Sequence, residues 1–184
     1  MSLTMYNSKR NFEETKEPKG VVEKSEVPVF VIQRHDASRL HYDLRLELGG
    51  VLKSWAVPKG PTLYPQDKRL AILVEDHPVS YVKFKGTIPE GNYGAGKIEI
   101  WDSGTFYFVD EKSNEISETA AKKWFNSGQL KFRLKGKKLK GEFALVQLKN
   151  DDTGKSWLLI KHKDEFATST TYDSEDYTKA IKKK

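Results

Sequence analysis

His41, Asp43 and Arg45 stand at positions i, i+2 and i+4 of the run HYDLRLEL. In an extended strand alternate side chains share one face, about 6.6 Å apart per two-residue step. An imidazole, a carboxylate and a guanidinium would therefore project together. His35 lies upstream, and the short polar stretch Asp36–Arg39 suffices to fold it back beside His41. Two imidazoles and one carboxylate form a mixed nitrogen–oxygen donor set, suited to manganese, iron, zinc or cobalt. Three protein ligands leave positions open for water and substrate, as a catalytic metal requires. Arg45 beside such an ion points to an anion, because its planar fork fits phosphate or carboxylate. Lys59, Arg69, His77 and Tyr81 are further candidates to converge there, as cations, as an imidazole donor or acid, and as a hydroxyl. Taken singly, each is equally at home as a solvated charge, a surface histidine or a rim aromatic.

The elements that must position these groups are short and extended. Tyr42, Leu44, Leu46 and Leu48 occupy the face opposite Asp43, Arg45 and Glu47, the period-two pattern of a half-buried strand. Gly49–Gly50 reads as a hairpin turn and Val51–Val57 as the returning strand. Val27–Gln33, Arg69–Glu75, Leu130–Leu134, Leu139–Leu148 and Trp157–Lys161 read as strands. Lys97–Trp101 and Thr105–Val109 read as a hairpin turning at Asp102–Gly104. One helix is expected, capped by Ser117, propagated by Ala120–Phe125 and ended at Gly128. The pattern predicts a mainly β protein, a small antiparallel β-barrel with a flanking helix and an N-terminal arm. Residues 1–25 are taken as an arm that completes the site, 26–167 as the barrel domain, and 168–184 as a charged tail, loose or briefly helical.

At 184 residues the chain has the length of one domain. It contains no cysteine, which excludes disulfides, cysteine–zinc and iron–sulfur sites and cysteine nucleophiles together. The net charge of +6 favours a polyanionic partner, nucleic acid first. No run approaches the ~20 apolar residues of a membrane span, and the opening residues lack an apolar signal core. A cytoplasmic monomer without membrane contact is expected. The segment Lys131–Lys140 (KFRLKGKKLK) alternates cations with Phe132, Leu134 and Leu139, a solvated hairpin face that could also touch phosphates. Gly91–Lys97 (GNYGAGK) matches the opening of a phosphate-cradling P-loop. Ile98 stands where Ser or Thr is required, and a strand rather than a helix follows, so the glycines are read as a tight turn. No Lys-x-Asp-Gly motif of a nucleotidyltransferase ligase occurs.

The run QRHDASRLHYDLRLELGGVLKSWAVPKGPTL, then KRLAILVEDHPVSYVKFKGTIPEGNYGAGKIEIWDSG, resembles the 3′-phosphoesterase domain of bacterial DNA ligase D and its stand-alone relatives. LKFRLKGKKLKGEFALVQL and WLLIKHKDEFA continue the likeness, which covers about residues 6–167. The resemblance implies a small barrel with the site in a groove, and a free-standing member of the family. It implies manganese-dependent repair of DNA or RNA/DNA 3′ ends on a primer-template. A terminal 3′ ribonucleoside is removed, then the 3′-phosphate, with a separate DNA ligase as partner. It places the metal ligands on His35, His41 and Asp43, with Mn2+ as cofactor and Zn2+ or Co2+ as substitutes. It places phosphate contacts on Arg45, Arg69, His77 and Tyr81, with Gln33 and Lys59 nearby. The family's arm carries an Arg-Asp pair and a downstream Glu; Arg10 and Glu17 match, and Asn11 stands at the Asp position. The residues alone leave two rivals open: a non-haem iron oxygenase built on His41-x-Asp43, and a non-catalytic nucleic-acid-binding barrel.

Overall fold

The computed structural model describes residues 2–178. A short helix α1 (Thr4–Ser8) precedes β1 (Val29–Asp36), β2 (His41–Glu47), β3 (Leu52–Val57), β4 (Lys68–Leu73), β5 (Gly86–Ile88) and β6 (Gly96–Phe108). Helix α2 (Glu118–Asn126), β7 (Gln129–Lys135), β8 (Lys140–Gln147) and β9 (Ser156–Lys161) follow. All pairings are antiparallel, in the order β1-β2-β3-β4-β9-β8-β7-β6, and β6 returns to pair with β1. Eight strands thus close a barrel, which removes the exposed edges of an open sheet. β5 pairs with the first residues of β6, outside the closed ring.

Alternation explains the closure. Phe30 and Ile32 of β1 and Tyr42, Leu44 and Leu46 of β2 point inward with Trp55, Phe106, Phe132, Phe143 and Trp157. Each large side chain buried this way contributes roughly 1.5–3 kcal/mol relative to exposure. Helix α2 begins as its cap foretells: the Ser117 hydroxyl accepts from the Ala120 N–H. Gly128 follows its end at φ +84°. Phe125 from this helix stacks on Trp157 at 5.6 Å and covers one end of the core. Among the described residues no helix is long and apolar enough to cross a membrane.

The structure departs from the sequence reading in three strand details. Asp102–Gly104 is no turn, because β6 runs unbroken from Gly96 to Phe108. Asp102 instead accepts backbone N–H bonds from Lys137, Lys138 and Leu139 and so holds the neighbouring hairpin turn. A Cβ on Gly104 would lie 2.3 Å from the Lys135 carbonyl oxygen, so the glycine serves close approach of two strands rather than reversal. β1 continues to Asp36, beyond its expected end at Gln33. The polar face of β2 is buried as well, since Asp43, Arg45 and Glu47 are almost inaccessible. Both termini pack. Leu3 and Tyr6 of the arm join Val51, Leu52, Tyr81, Phe84, Ile88 and Ile98 in a second apolar cluster. Tyr172 and Ser174 of the tail expected to be loose or briefly helical are buried, a 3-10 turn spans Ser174–Tyr177, and the Ser174 hydroxyl donates to the Pro61 carbonyl. Residues 179–184 of that tail, Lys182–Lys184 among them, lie outside the described residues.

Candidate active site

The polar face of β2 and the end of β1 open into a cavity of about 680 Å³. Register builds its floor. His35 pairs with His41, Gln33 with Asp43 and Val31 with Arg45 across the β1–β2 ladder. The His35 and His41 rings are 4.7 Å apart. His35 Nδ1 lies 3.7 Å from Asp43 Oδ2, and His41 Nε2 lies 3.6 Å from Asp43 Oδ1. One ligand atom from each of the three lies within 4.8 Å of the others, the only such grouping among the described residues.

The hydrogen bonds suit this set to a cation. His41 Nδ1 lies 2.9 Å from the Arg39 carbonyl, an acceptor for its proton, and this bond aims Nε2 at Asp43. That outer bond is the arrangement that fixes a metal-binding imidazole. His35 Nε2 is buried without a partner. Burial alone would push the Asp43 carboxyl up, but Arg45 and the two imidazoles outweigh it and hold its pKa below the ordinary value. The carboxylate is therefore charged and available. A nitrogen–nitrogen–oxygen set of this kind fits a divalent transition ion such as Mn2+.

Arg45 stands beside the triad. Its Nη2 donates to Asp43 at 3.0 Å and its Nε to Gln33 Oε1 at 2.7 Å. Gln33 is fixed in turn by donating to the Phe84 carbonyl at 2.8 Å. The guanidinium lies over the Tyr81 ring at 4.8 Å. Its Nη1 is buried with no protein partner, a charged donor held ready for an anion.

The arm supplies the second wall. Tyr6, fully buried, stacks edge-on against His77 and Tyr81 and donates to the Pro18 carbonyl. This anchor places Arg10 between two carboxylates, 2.7 Å from Glu75 Oε1 and 3.3 Å from Glu17 Oε1. Arg10 Nη2 lies 3.0 Å from His77 Nε2. His77 Nδ1 faces the Glu75 carbonyl at 2.9 Å, so Nδ1 bears the proton and Nε2 accepts from Arg10. Burial, then Arg45 and Arg10, holds the His77 pKa well below its usual value, and the ring is neutral. It offers the cavity no proton, and it orients Arg10 instead. The Tyr81 hydroxyl, kept protonated by burial, donates to Glu17 Oε1 at 3.0 Å. Glu17 Oε2 is buried and unpartnered.

The cavity thus gathers Arg10, Glu17, His35, His41, Asp43, Arg45, His77 and Tyr81 from the expected residues, with Gln33 directly behind them. It does not gather Lys59 and Arg69. These line a separate cavity of about 550 Å³ with Tyr42 and Tyr172, where Arg69 donates to Asp67 and to the Tyr172 carbonyl. β4 carries Arg69 toward the docked tail, and spacing along the chain gave no sign of that. The basic hairpin also lies elsewhere, with Lys131 paired to Glu142 and Arg133 to Glu165. Glu75 and Tyr93 also line the cavity, and the sequence reading did not single them out. Glu75 precedes His77 by two positions, an alternation that could have paired them. Tyr93 sits in the glycine loop dismissed as a P-loop, and that loop lines the cavity through Tyr93–Gly96. Asn11 is exposed and does not line the cavity; its Oδ1 accepts the Glu13 N–H at 3.2 Å.

Comparison with known proteins bears on this geometry. Residues 33–147 match the family described as the DNA Ligase D 3'-phosphoesterase domain. The chain is 44% identical over 170 residues to the multifunctional non-homologous end joining protein LigD of Pseudomonas aeruginosa, covering 91% of this chain and 19% of that protein. It is 42% identical over 165 residues to LigD of Mycolicibacterium smegmatis, covering 89% of this chain and 21% of the relative. It is 40% identical over 165 residues to the LigD DNA repair protein of Mycobacterium tuberculosis, with 89% and 20% covered. The chain spans about a fifth of the length of these relatives.

Proposed function

The chain belongs to the DNA ligase D 3′-phosphoesterase family, and on that footing we propose that it is a manganese-dependent hydrolase that heals DNA 3′ ends. It acts first as a phosphodiesterase, removing a terminal 3′ ribonucleoside from a primer-template. It acts next as a phosphomonoesterase, removing the remaining 3′-phosphate to leave the 3′-hydroxyl that a DNA ligase joins. The observation that carries this reading is the grouping of His35, His41 and Asp43 beside the unpartnered Arg45 Nη1 in one open cavity.

His35, His41 and Asp43 would hold the ion. A bound Mn2+ supplies Lewis-acid stabilisation of charge on a phosphate oxygen. The protein's own residues do the rest. Arg45, locked between Gln33 and Asp43, binds the phosphate and stabilises charge that grows toward the transition state. Arg10, clamped by Glu17, Glu75 and His77, presents a second guanidinium from the arm side. His77 keeps that guanidinium aimed, and Tyr81 holds Glu17. Water is the nucleophile in this reading, since the chain has no cysteine.

The test is a labelled primer-template ending in one ribonucleotide, incubated with and without manganese. The proposal expects a 3′-phosphate product followed by a 3′-hydroxyl product, both requiring the ion. An unchanged substrate in manganese overturns it.

A further inference from the structure

Tyr93 is 48% exposed although it belongs to the wall of a cavity whose floor is buried. Its backbone is set by the glycine loop. Gly91, Gly94 and Gly96 hold φ of +88°, +78° and +139°, and a Cβ at Gly96 would lie 2.5 Å from the Asp36 carbonyl oxygen. The loop is tied to the arm, where Asn92 donates to Glu14 at 3.1 Å. The ring is fixed from its edge. Lys9 Nζ donates to the Tyr93 hydroxyl at 3.3 Å, and that hydroxyl donates to Glu75 at 3.4 Å. Lys9 Nζ also lies over the ring, 4.4 Å from its centroid, and the Arg10 guanidinium lies 5.3 Å from it. A large aromatic surface is thus held in place at the mouth between cations, with about half its area open. It points to neither of the apolar clusters, and the family assignment gives it no task.

A cation beside an open aromatic face is how proteins hold single-stranded nucleic acid, since every base presents a π surface to stack on. Depth supplies the direction. The ion-holding residues His35 and Asp43 and the phosphate-binding Arg45 are buried at the floor, whereas Tyr93 stands at the rim of the same cavity. A strand end entering phosphate-first leaves the nucleoside that bears that phosphate at the rim. We propose that Tyr93 is a positioning residue that stacks the base of the nucleoside bearing the reacting 3′-phosphate. This rests on the function proposed above. The only polar atom of the ring is occupied by Lys9 and Glu75, so the platform takes any of the four bases.

The test uses primer-templates ending in a 3′-phosphate, with the terminal nucleotide carrying either a base or the stable abasic tetrahydrofuran analogue. Tyr93→Ala is expected to raise KM about tenfold on base-bearing ends and to leave abasic ends unchanged. Tyr93→Phe, which keeps the ring and loses the hydroxyl, is expected to match the wild type on both. An equal loss on both ends, or none on either, overturns the platform. A second readout needs no turnover. Without divalent ion, a terminal 2-aminopurine should be quenched by the wild type and by Tyr93→Phe but not by Tyr93→Ala. Quenching without manganese-dependent hydrolysis would sink the enzyme reading and keep the platform. Hydrolysis without Tyr93-dependent quenching would do the reverse.

Discussion

The two walls of the cavity are held by different forces. The floor residues His35, His41, Asp43 and Arg45 sit on paired strands, where backbone register fixes each Cα before any side chain interacts. The arm residues Arg10 and Glu17 reach the same cavity from a segment with no strand of its own. They are held by the buried Tyr6 ring and by ion pairs to Glu75 and within the arm. Metal ligands must be placed within about 0.5 Å, and a β-ladder supplies that precision. A segment docked by a few side chains has a lower local opening free energy than the sheet it covers. One wall is therefore permanent, and the other is attached.

The sharpest way to break this contrast is at the floor. His41→Ala removes one of the three proposed ligands while leaving the backbone ladder whole. Turnover on a 3′-phosphate end in manganese is expected to fall at least ~10³-fold, on the scale of deleting a principal charge-stabilising group. The residue is only partly buried, so the melting temperature should move by no more than about 2 °C. Retained turnover would refute the ligand assignment. A large melting shift would refute the independence of the ladder.

Arg10→Ala tests the attached wall. It leaves Glu17 and Glu75 buried without their guanidinium, a situation that costs roughly 3–5 kcal/mol when it cannot relax. Here it relaxes by release of the arm. Amide exchange around Tyr6 is expected to accelerate about a hundredfold, an opening cost lowered by ~3 kcal/mol, while exchange in β1 and β2 stays slow. Loss of protection in arm and barrel together would show that the walls are one cooperative unit.

Acid should act on the attached wall first. The folded pKa of His77 lies well below its unfolded value, so the unfolded chain binds a proton that the folded chain excludes. Stability is complete above the unfolded pKa of about 6.5 and declines as pH falls below it. The slope for one such group is at most ~1.4 kcal/mol per pH unit. Urea midpoints at pH 7.5 and 5.5 should differ less in His77→Gln than in the wild type. His162, also held low by burial, keeps a remainder of the slope. An unchanged slope would mean that His77 is protonated in the fold.

Legibility followed the same divide. The alternation Tyr42, Leu44, Leu46, Leu48 and the cap at Ser117 are local signals, and the barrel and its helix were readable from them. The grouping of His35, His41 and Asp43 was readable because cross-strand neighbours near a short break lie close in sequence. Burial of the polar face of β2 was not, because the cover comes from Tyr6 and Tyr81, whose sequence neighbours are polar or irregular. Asp102-Ser103-Gly104 has turn chemistry yet runs straight, because Asp102 serves a turn on another strand. Arg69 and Lys59 look like partners of Arg45 along the chain, but strand order carries them to a different cavity.

The smallest effect is expected at Asn11, where the family resemblance places an aspartate in the attached wall. Were that carboxylate needed for its charge, this protein would lack a working part of its arm. The structure gives the side chain a different task. Asn11 Oδ1 accepts the Glu13 N–H at 3.2 Å in a local turn, facing solvent rather than the cavity. Asparagine and aspartate both offer that acceptor. Asn11→Asp should therefore change stability by no more than about 0.5 kcal/mol, with any gain at the turn opposed by the neighbouring Glu13 and Glu14. The ratio of ribonucleoside removal to phosphate removal should stay within about twofold, a surface-site effect of that same size. A tenfold gain in ribonucleoside removal alone would mean that the arm swings Asn11 into the cavity when substrate binds, and that the attached wall reshapes itself during the reaction.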